Sequence, residues 1–261
     1  DLHSFPTRRS SDLHIVYRRP RPNFFTRHLA VGALLLVVMG TGIAFLMRDN
    51  GVATGIGEQR VLALEDGSRV ILNTQTRVSV NYNKAARRIE FEEGEALFEV
   101  AKHPDWPFYV TAGDRTIRAV GTSFAVRRDQ DQVSVILVEG SVTVATTAEA
   151  TTATPPVVLT PGERVVFARE KATRTDHPPI EKLLAWQRRE VALTDVALAD
   201  AIAEMNRYSR ERLVAQLPNG PPIRVTGLFR AGDSMSFARA VAEAYQLDVV
   251  KEDGEIRLVA R

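Results

Sequence analysis

The sequence predicts a membrane-anchored, mainly β protein: one transmembrane helix, an all-β domain, and a small α+β domain made of a β-α-β repeat. Three observations predict it. An uncharged run of nineteen residues lies near the N-terminus, apolar residues alternate with polar ones between residues 57 and 170, and a strand-helix-strand pattern occurs twice after residue 189.

The uncharged run is LAVGALLLVVMGTGIAFLM, residues 29–47. As a helix it would span about 28 Å, close to the hydrocarbon thickness of a bilayer. Arg18, Arg19, Arg21 and Arg27 precede it and Arg48-Asp49-Asn50 follow. The excess of arginine places the N-terminus in the cytoplasm and everything after residue 48 outside, which for a bacterial inner membrane is the periplasm. Residues 14–28 then form a basic juxtamembrane segment and residues 48–56 a linker. The first thirteen residues, DLHSFPTRRSSDL, show neither apolar periodicity nor a signal-peptide core. They resemble the translation of a common sequencing adapter and are expected to be a non-native tail on a gene cut at its 5′ side.

Composition excludes several function classes. The 261 residues contain no cysteine, which removes disulfide scaffolds, thiolate metal sites and cysteine nucleophiles. The net charge of +2 comes from the juxtamembrane arginines: residues 1–13 are neutral and residues 14–28 carry four arginines without an acid, which leaves −2 for the rest. The body of the protein therefore lacks a basic footprint for nucleic acid. No Walker loop, Gly-x-Ser-x-Gly or Gly-x-Gly-x-x-Gly occurs. The histidines are scattered without metal-ligand spacing, so no cofactor, metal or small-molecule substrate is expected.

The β-domain, residues 57–170, reads as short strands: RVLALEDGSRVILN, RVSVNYN, RRIEFEEGEALFEVA, FYVTAG, TIRAVGTSFAVRR, QVSVILVEGSVTVA and a closing VVLTPGERVVFA. Asp66-Gly67 has the composition of a hairpin turn. Within the third segment Glu90, Glu92, Glu93, Glu95 and Glu99 crowd into ten positions. Same-face pairs such as Glu90 and Glu92 would stand about 6.6 Å apart, within the range of glycosidase carboxyl pairs. Period-two alternation with Ile89 and Phe91, and after Gly94 again with Ala96, Phe98 and Val100, instead sorts the acids onto an outer, solvated face. His103, beside Pro104 and Asp105, reads as a surface histidine.

After a connector at 171–188, which contains IEKLLAWQR, residues 189–261 carry the two strand-helix-strand units. The first helix places Val196, Ala199, Ala201, Ile202 and Met205 near helical spacing with Asp195 as a candidate N-cap; the second places Phe237, Val241, Ala244 and Tyr245 after Ser234. Asp253-Gly254 is a second hairpin signal. Such a domain offers strand edges and helix faces rather than a catalytic cleft.

The order of these parts resembles the FecR family of transmembrane anti-sigma regulators. The likeness is carried by LEDGSRVILN (64–73), EGEALFEVAKHPDWPFYV (93–110), VGTSFAVR (120–127), VEGSVTV (138–144), LTPGERV (159–165), AWQRREVALTDVAL (185–198), EMNRYS (204–209) and VTGLF (225–229). It implies a solenoid-like β-domain and a C-terminal domain similar to the short N-terminal domain of secretins and TonB-dependent receptors. It also implies the partners: the periplasmic signalling domain of a TonB-dependent outer-membrane receptor, an extracytoplasmic-function sigma factor bound through a cytoplasmic domain ahead of the span, and the periplasmic and intramembrane proteases of regulated proteolysis. The protein is expected not to be an enzyme, apart from a single-turnover self-cleavage at Gly121-Thr122 of the kind the family implies. Ile223, Val225, Leu228 and Phe229 are the candidate partner-binding residues, on a strand suited to β-augmentation. Two other functions fit parts of the chain: a cell-envelope β-domain binding glycan, with Trp106 and Tyr109 as its nearest aromatics, and a structural secretin-like assembly protein.

Overall fold

The computed structural model describes residues 51–130, 132–147, 155–168, 171–217 and 222–261, which belong to one compact unit. The expected tail (1–13), juxtamembrane segment (14–28) and transmembrane helix (29–47) lie outside the described residues. Among the described residues no helix is long and apolar enough to cross a membrane.

Among the described residues thirteen strands make the β-domain. They are β1 (Gly51–Ala53), β2 (Arg60–Ala63), β3 (Arg69–Leu72), β4 (Arg77–Tyr82), β5 (Arg87–Glu99), β6 (Phe108–Ala112), β7 (Arg115–Ala119), β8 (Ser123–Asp129), β9 (Gln132–Glu139), β10 (Val142–Thr146), β11 (Val157–Leu159), β12 (Arg164–Ala168) and β13 (Lys171–Asp176). The long strand β5 organises them. Its first half pairs with β4 and β6, and beyond them come β1 on one side and β7, β10 and β11 on the other. Its second half pairs with β3 and β8, followed by β2 on one side and β9, β12 and β13 on the other. The two half-sheets share one apolar core to which both contribute, with Phe98 at its centre: its ring stacks on Phe124 at 5.1 Å and meets Phe91 and Phe108 edge-on.

This topology corrects the solenoid-like expectation. Among these pairings only β5 with β6 is parallel; the others are antiparallel, so the chain runs back and forth between neighbours instead of coiling. Domain limits shift as well. The expected linker 48–56 contains β1, paired on β4, and the expected connector 171–188 begins with β13, paired on β12. Three segments read as single strands are broken: VVLTPGERVVFA by the Pro161-Gly162 turn, TIRAVGTSFAVRR between Ala119 and Ser123, and QVSVILVEGSVTVA between Glu139 and Val142. The hairpin at Asp66-Gly67 forms as read, with Leu64 N–H donating to Ser68 O and Gly67 at φ +82°.

Asp66 also anchors a polar knot. Arg87 and Asp66, both with wholly buried side chains, pair at 2.5 Å. Arg87 further donates to Ala101 O at 3.0 Å and Trp106 O at 2.9 Å, while Ser68 and Tyr82 hydroxyls donate to the Asp66 carboxylate. Burial pushes the Asp66 carboxyl up, but the hydrogen bonds from Ser68 and Arg87 outweigh it and hold it below its ordinary value. The knot ties the 100–107 loop to the first hairpin. His103 Nε2 lies 3.2 Å from Asp66 O as part of it.

The C-terminal domain follows a short helix α1 (Ile180–Leu183) and a 3-10 turn (Ala185–Arg188). It comprises β14 (Glu190–Ala197), α2 (Leu198–Asn206), β15 (Arg212–Gln216), β16 (Arg224–Arg230), α3 (Ser234–Tyr245), β17 (Leu247–Glu252) and β18 (Glu255–Ala260). The two strand-helix-strand units interleave: β14 pairs with β16, and β15 pairs with β18, which also pairs with β17. Helix α2 buries Leu198, Ala201, Ile202 and Met205; α3 buries Phe237, Ala238, Val241 and Ala242 and leaves Ala244 and Tyr245 exposed. Asp195 is not the N-cap of α2. It sits at φ +51° in a bulge of β14 and pairs with Arg224, while Ala197 takes the cap position without a side-chain bond. Asp253-Gly254 turns the β17–β18 hairpin as expected.

Two substitutions test these constraints. Gly94 has φ +97°, and a Cβ there would lie 2.5 Å from Thr76 Cα. Gly94→Ala should cost about 1–3 kcal/mol from backbone strain alone, measured as a lower midpoint of urea unfolding. Arg87→Met leaves the Asp66 carboxylate buried without its cation and should cost about 3–5 kcal/mol in the same measurement.

Candidate functional site

Glu95 leads to the site. By the alternation that restarts after Gly94 it belongs to the outer face of β5, as Glu90 and Glu92 do before the bulge, and those two are exposed. Glu95 is not: it is 7% exposed, and its outer-face neighbour Leu97 is 4% exposed. The expectation that all the acids face solvent fails because the C-terminal domain covers this half of the sheet. Its apolar core runs without a break onto Leu97 of β5, Ala125 of β8 and Ile136 of β9.

Charged and polar groups from both domains meet at this joint. Arg207, just past α2, donates to Glu95 at 3.1 Å and to Glu204 at 2.7 Å; Arg127 of β8 donates to the other oxygen of Glu204 at 2.9 Å. The order Glu95, Arg207, Glu204, Arg127 alternates in sign and crosses the boundary twice. Asn73, at the end of β3, donates to both Glu95 and the Tyr208 hydroxyl at 2.8 Å. Burial pushes the Glu204 carboxyl up, yet Arg127 and Arg207 together hold it below its ordinary value. Burial works against the Arg207 charge in the same way, and Glu95 and Glu204 raise its pKa above the usual arginine value. Tyr208 is pushed up by burial and by Glu95, so its hydroxyl stays protonated. Glu95 is buried and Arg207, Glu204 and Arg127 are partly so, so that removing Arg207 strands a buried carboxylate.

A cleft of about 250 Å³ opens beside this network, lined by Arg127, Ser134, Ile136, Trp186 and Glu204 among others. Trp186 is 3% exposed, and its backbone carbonyl accepts from Gln59 Nε2 at 2.6 Å, a further polar tie between the domains.

The residues expected to bind a partner fall differently. In β16, Val225 is buried and Phe229 packs edge-on against Phe237 at 4.8 Å, so both belong to the domain core. Ile223 is half-buried, and its carbonyl accepts from Leu198 N–H. Leu228 alone of the four is exposed, at 58%. Among the described strands β16 pairs only with β14, which leaves its other backbone edge without a strand partner, and the Arg224 carbonyl at its start accepts from the Tyr245 hydroxyl.

Gly121-Thr122 lies in the turn between β7 and β8. Gly121 has φ +67°, and a Cβ there would come within 2.8 Å of Lys102 Cβ. Thr122 is buried, its carbonyl accepts from Val100 N–H at 2.9 Å, and its hydroxyl is buried without a hydrogen-bond partner. An open cleft of about 440 Å³ beside it is lined by Lys102, Glu99 and Glu139 among others. The two sequence-predicted sites are thus separate places, and neither coincides with the charged joint.

Because Glu204 titrates lower in the folded protein, the unfolded chain binds more protons as pH falls. The stability Glu204 contributes is therefore full above its ordinary value of 4.5 and is lost as pH drops through the lowered folded value. Glu204→Gln should flatten the loss of stability below pH 4.5 seen in the parent protein, read as urea midpoints from pH 7 to pH 3.

Residues 50–143 match the family model described as FecR protein. No curated protein sequence matches the chain. Two crystal structures of a "putative anti-sigma factor" from Parabacteroides distasonis, at 2.50 Å and 1.65 Å resolution, superimpose on it with a TM-score of 0.68 at 22% sequence identity. They cover 81% of this chain and 98% and 99% of their own. That agreement extends the likeness of fold beyond the β-domain. Residues 50–143 thus carry a FecR domain, in line with the motifs read from the sequence.

Proposed function

We propose that this protein is an anti-sigma-type regulator that relays the state of a TonB-dependent outer-membrane receptor to an extracytoplasmic-function sigma factor. The FecR domain and the fold shared with the Parabacteroides structures support the regulator reading. The observation that carries the relay is the charged joint: a β-domain and a candidate partner-binding domain are tied through groups that bridge their boundary. A change imposed on one domain therefore has a physical route to the other.

In this reading the chain is anchored in the bacterial inner membrane by residues 29–47, with the N-terminus in the cytoplasm and the described residues in the periplasm. The receptor's signalling domain docks on the C-terminal domain, using the open edge of β16 and the exposed Leu228. Regulated proteolysis then frees the cytoplasmic portion with its sigma factor. The glycan-binding alternative is disfavoured by Trp106. Its ring sits edge-on to Tyr82 at 5.4 Å beside the Arg87 guanidinium, and its N–H donates to Asn83 O. It is engaged in the knot rather than offered as a platform.

Self-cleavage at Gly121-Thr122 is a second reading, and the unpartnered Thr122 hydroxyl favours it. Attack of that hydroxyl on the Gly121 carbonyl would convert the amide into an ester, freeing the Thr122 amine, and water would then cleave the ester.

Two measurements test these readings. Titrating the full chain with a purified receptor signalling domain should show saturable binding, weakened at least about tenfold by Leu228→Asp, the loss of a central apolar anchor; no binding by the folded chain contradicts receptor docking. Intact-mass analysis should show a fragment beginning at Thr122 that disappears in Thr122→Ala, and a wholly intact parent chain contradicts self-cleavage.

A further inference from the structure

Residues 54–59, which join β1 to β2, are held from two sides. From the β-domain, Thr54 N–H donates to Thr76 O at 2.9 Å and the Thr54 hydroxyl donates to Asn73 O at 2.6 Å. Three further contacts lead to the C-terminal side, one of them by way of Thr74. The Thr74 hydroxyl accepts from Gly57 N–H at 2.8 Å and donates to the Arg207 carbonyl at 2.8 Å. Gln59 donates to the Trp186 carbonyl. Gly57, at φ +71°, lies so close that a Cβ would stand 3.0 Å from the Tyr208 carbonyl.

These contacts converge on the residues of the charged joint. Arg207 supplies its side chain to Glu95 and Glu204 and its carbonyl to the Thr74 hydroxyl. Asn73 supplies its side chain to Glu95 and Tyr208, its carbonyl to Thr54 and its side-chain oxygen to Gln59 at 3.3 Å. Moving the 207–208 backbone away would leave the Thr74 hydroxyl only its longer bond to the Gly55 carbonyl, at 3.4 Å, and open the space above Gly57. Withdrawing Trp186 would leave Gln59 without its shorter bond. No apolar side chain of the segment is buried to replace those ties, because among residues 54–59 only Thr54 is buried and Ile56 is 41% exposed.

We infer that residues 54–59 form a latch whose order depends on docking of the chain's own C-terminal domain through the Glu95–Arg207–Glu204–Arg127 joint. With the domain docked, the segment is pinned and β1 is held against β4. With it undocked, the segment keeps its β-domain bonds to Asn73, Thr74, Gln75 and Thr76 but loses the Trp186 carbonyl and the close packing on the Tyr208 carbonyl, and it loosens; the strand it tethers is the one that leads back toward residue 50 and the N-terminal part of the chain. The role of this latch in signalling rests on the relay reading above; the latch itself is a property of this chain alone.

Hydrogen exchange on the full chain tests it without any partner, so its failure is distinct from failure of receptor docking. In Arg207→Met, which breaks the joint, peptides covering 54–59 should exchange about tenfold faster or more than in the parent, while β6 and β7 (Phe108–Ala119) keep parental protection. Unchanged protection of 54–59 in that variant, whether or not the C-terminal domain loosens, overturns the latch. If β6 and β7 also lose protection in Arg207→Met, the test passes to Tyr208→Phe, which removes only the hydroxyl that accepts from Asn73. The same acceleration at 54–59 supports the latch and unchanged exchange there overturns it.

Discussion

The second half of β5 must be buried on both faces, and most of the architecture depends on that constraint. Ala96 and Phe98 fill the β-domain core from one face. Glu95 and Leu97, on the opposite face, are covered by the C-terminal domain. A strand buried on one side would tolerate Glu95 as a solvated acid. Burial on both sides obliges it to find partners, and it finds Arg207 and Asn73. Gly94 makes the change of environment possible at a bulge, where the ladder to β4 shifts register between Arg77 and Val78.

Apolar burial and ion pairing contribute differently to this joint. Leu97, Ala125 and Ile136 supply area and favour contact of any orientation. The alternating charges set one orientation, because sliding α2 along the sheet would separate Arg207 from Glu95 and Glu204 from Arg127 together. Buried ion pairs add little net stability over apolar replacements of the same shape, but they penalise mismatched geometries heavily. A joint built this way is specific, and it fails abruptly when one partner is withdrawn. Those are the mechanical requirements of an element that passes on an all-or-none change.

Much of this organisation is legible in the sequence. Period-two alternation locates the β-domain, the two turn signals at Asp66-Gly67 and Asp253-Gly254 form hairpins, and the strand-helix-strand repeat gives the C-terminal domain. The joint is not legible, because alternation reports which side of a strand a residue takes and not what lies over that side. Leu97 was the available signal: an apolar residue between Glu95 and Glu99 on a face otherwise acidic. Asp195 misleads for a related reason. A helix cap and a bulge both favour aspartate, and only the pairing of β14 with β16, thirty residues apart in sequence, decides between them. Four of the motifs that carry the family resemblance meet at the joint, through Asn73, Glu95, Arg127 and the Glu204–Tyr208 turn. Their order in the chain gives no hint that they touch.

If the joint couples them, the β-domain and the C-terminal domain unfold as one cooperative body. Calorimetry of a fragment spanning residues 50–261 tests it most directly. Coupled docking predicts a single heat-absorption peak whose calorimetric and van't Hoff enthalpies agree, and which splits in two in the Glu95→Gln, Arg127→Met double variant. Two separated peaks in the unaltered fragment would contradict the claim, since each domain would then unfold without regard to the other.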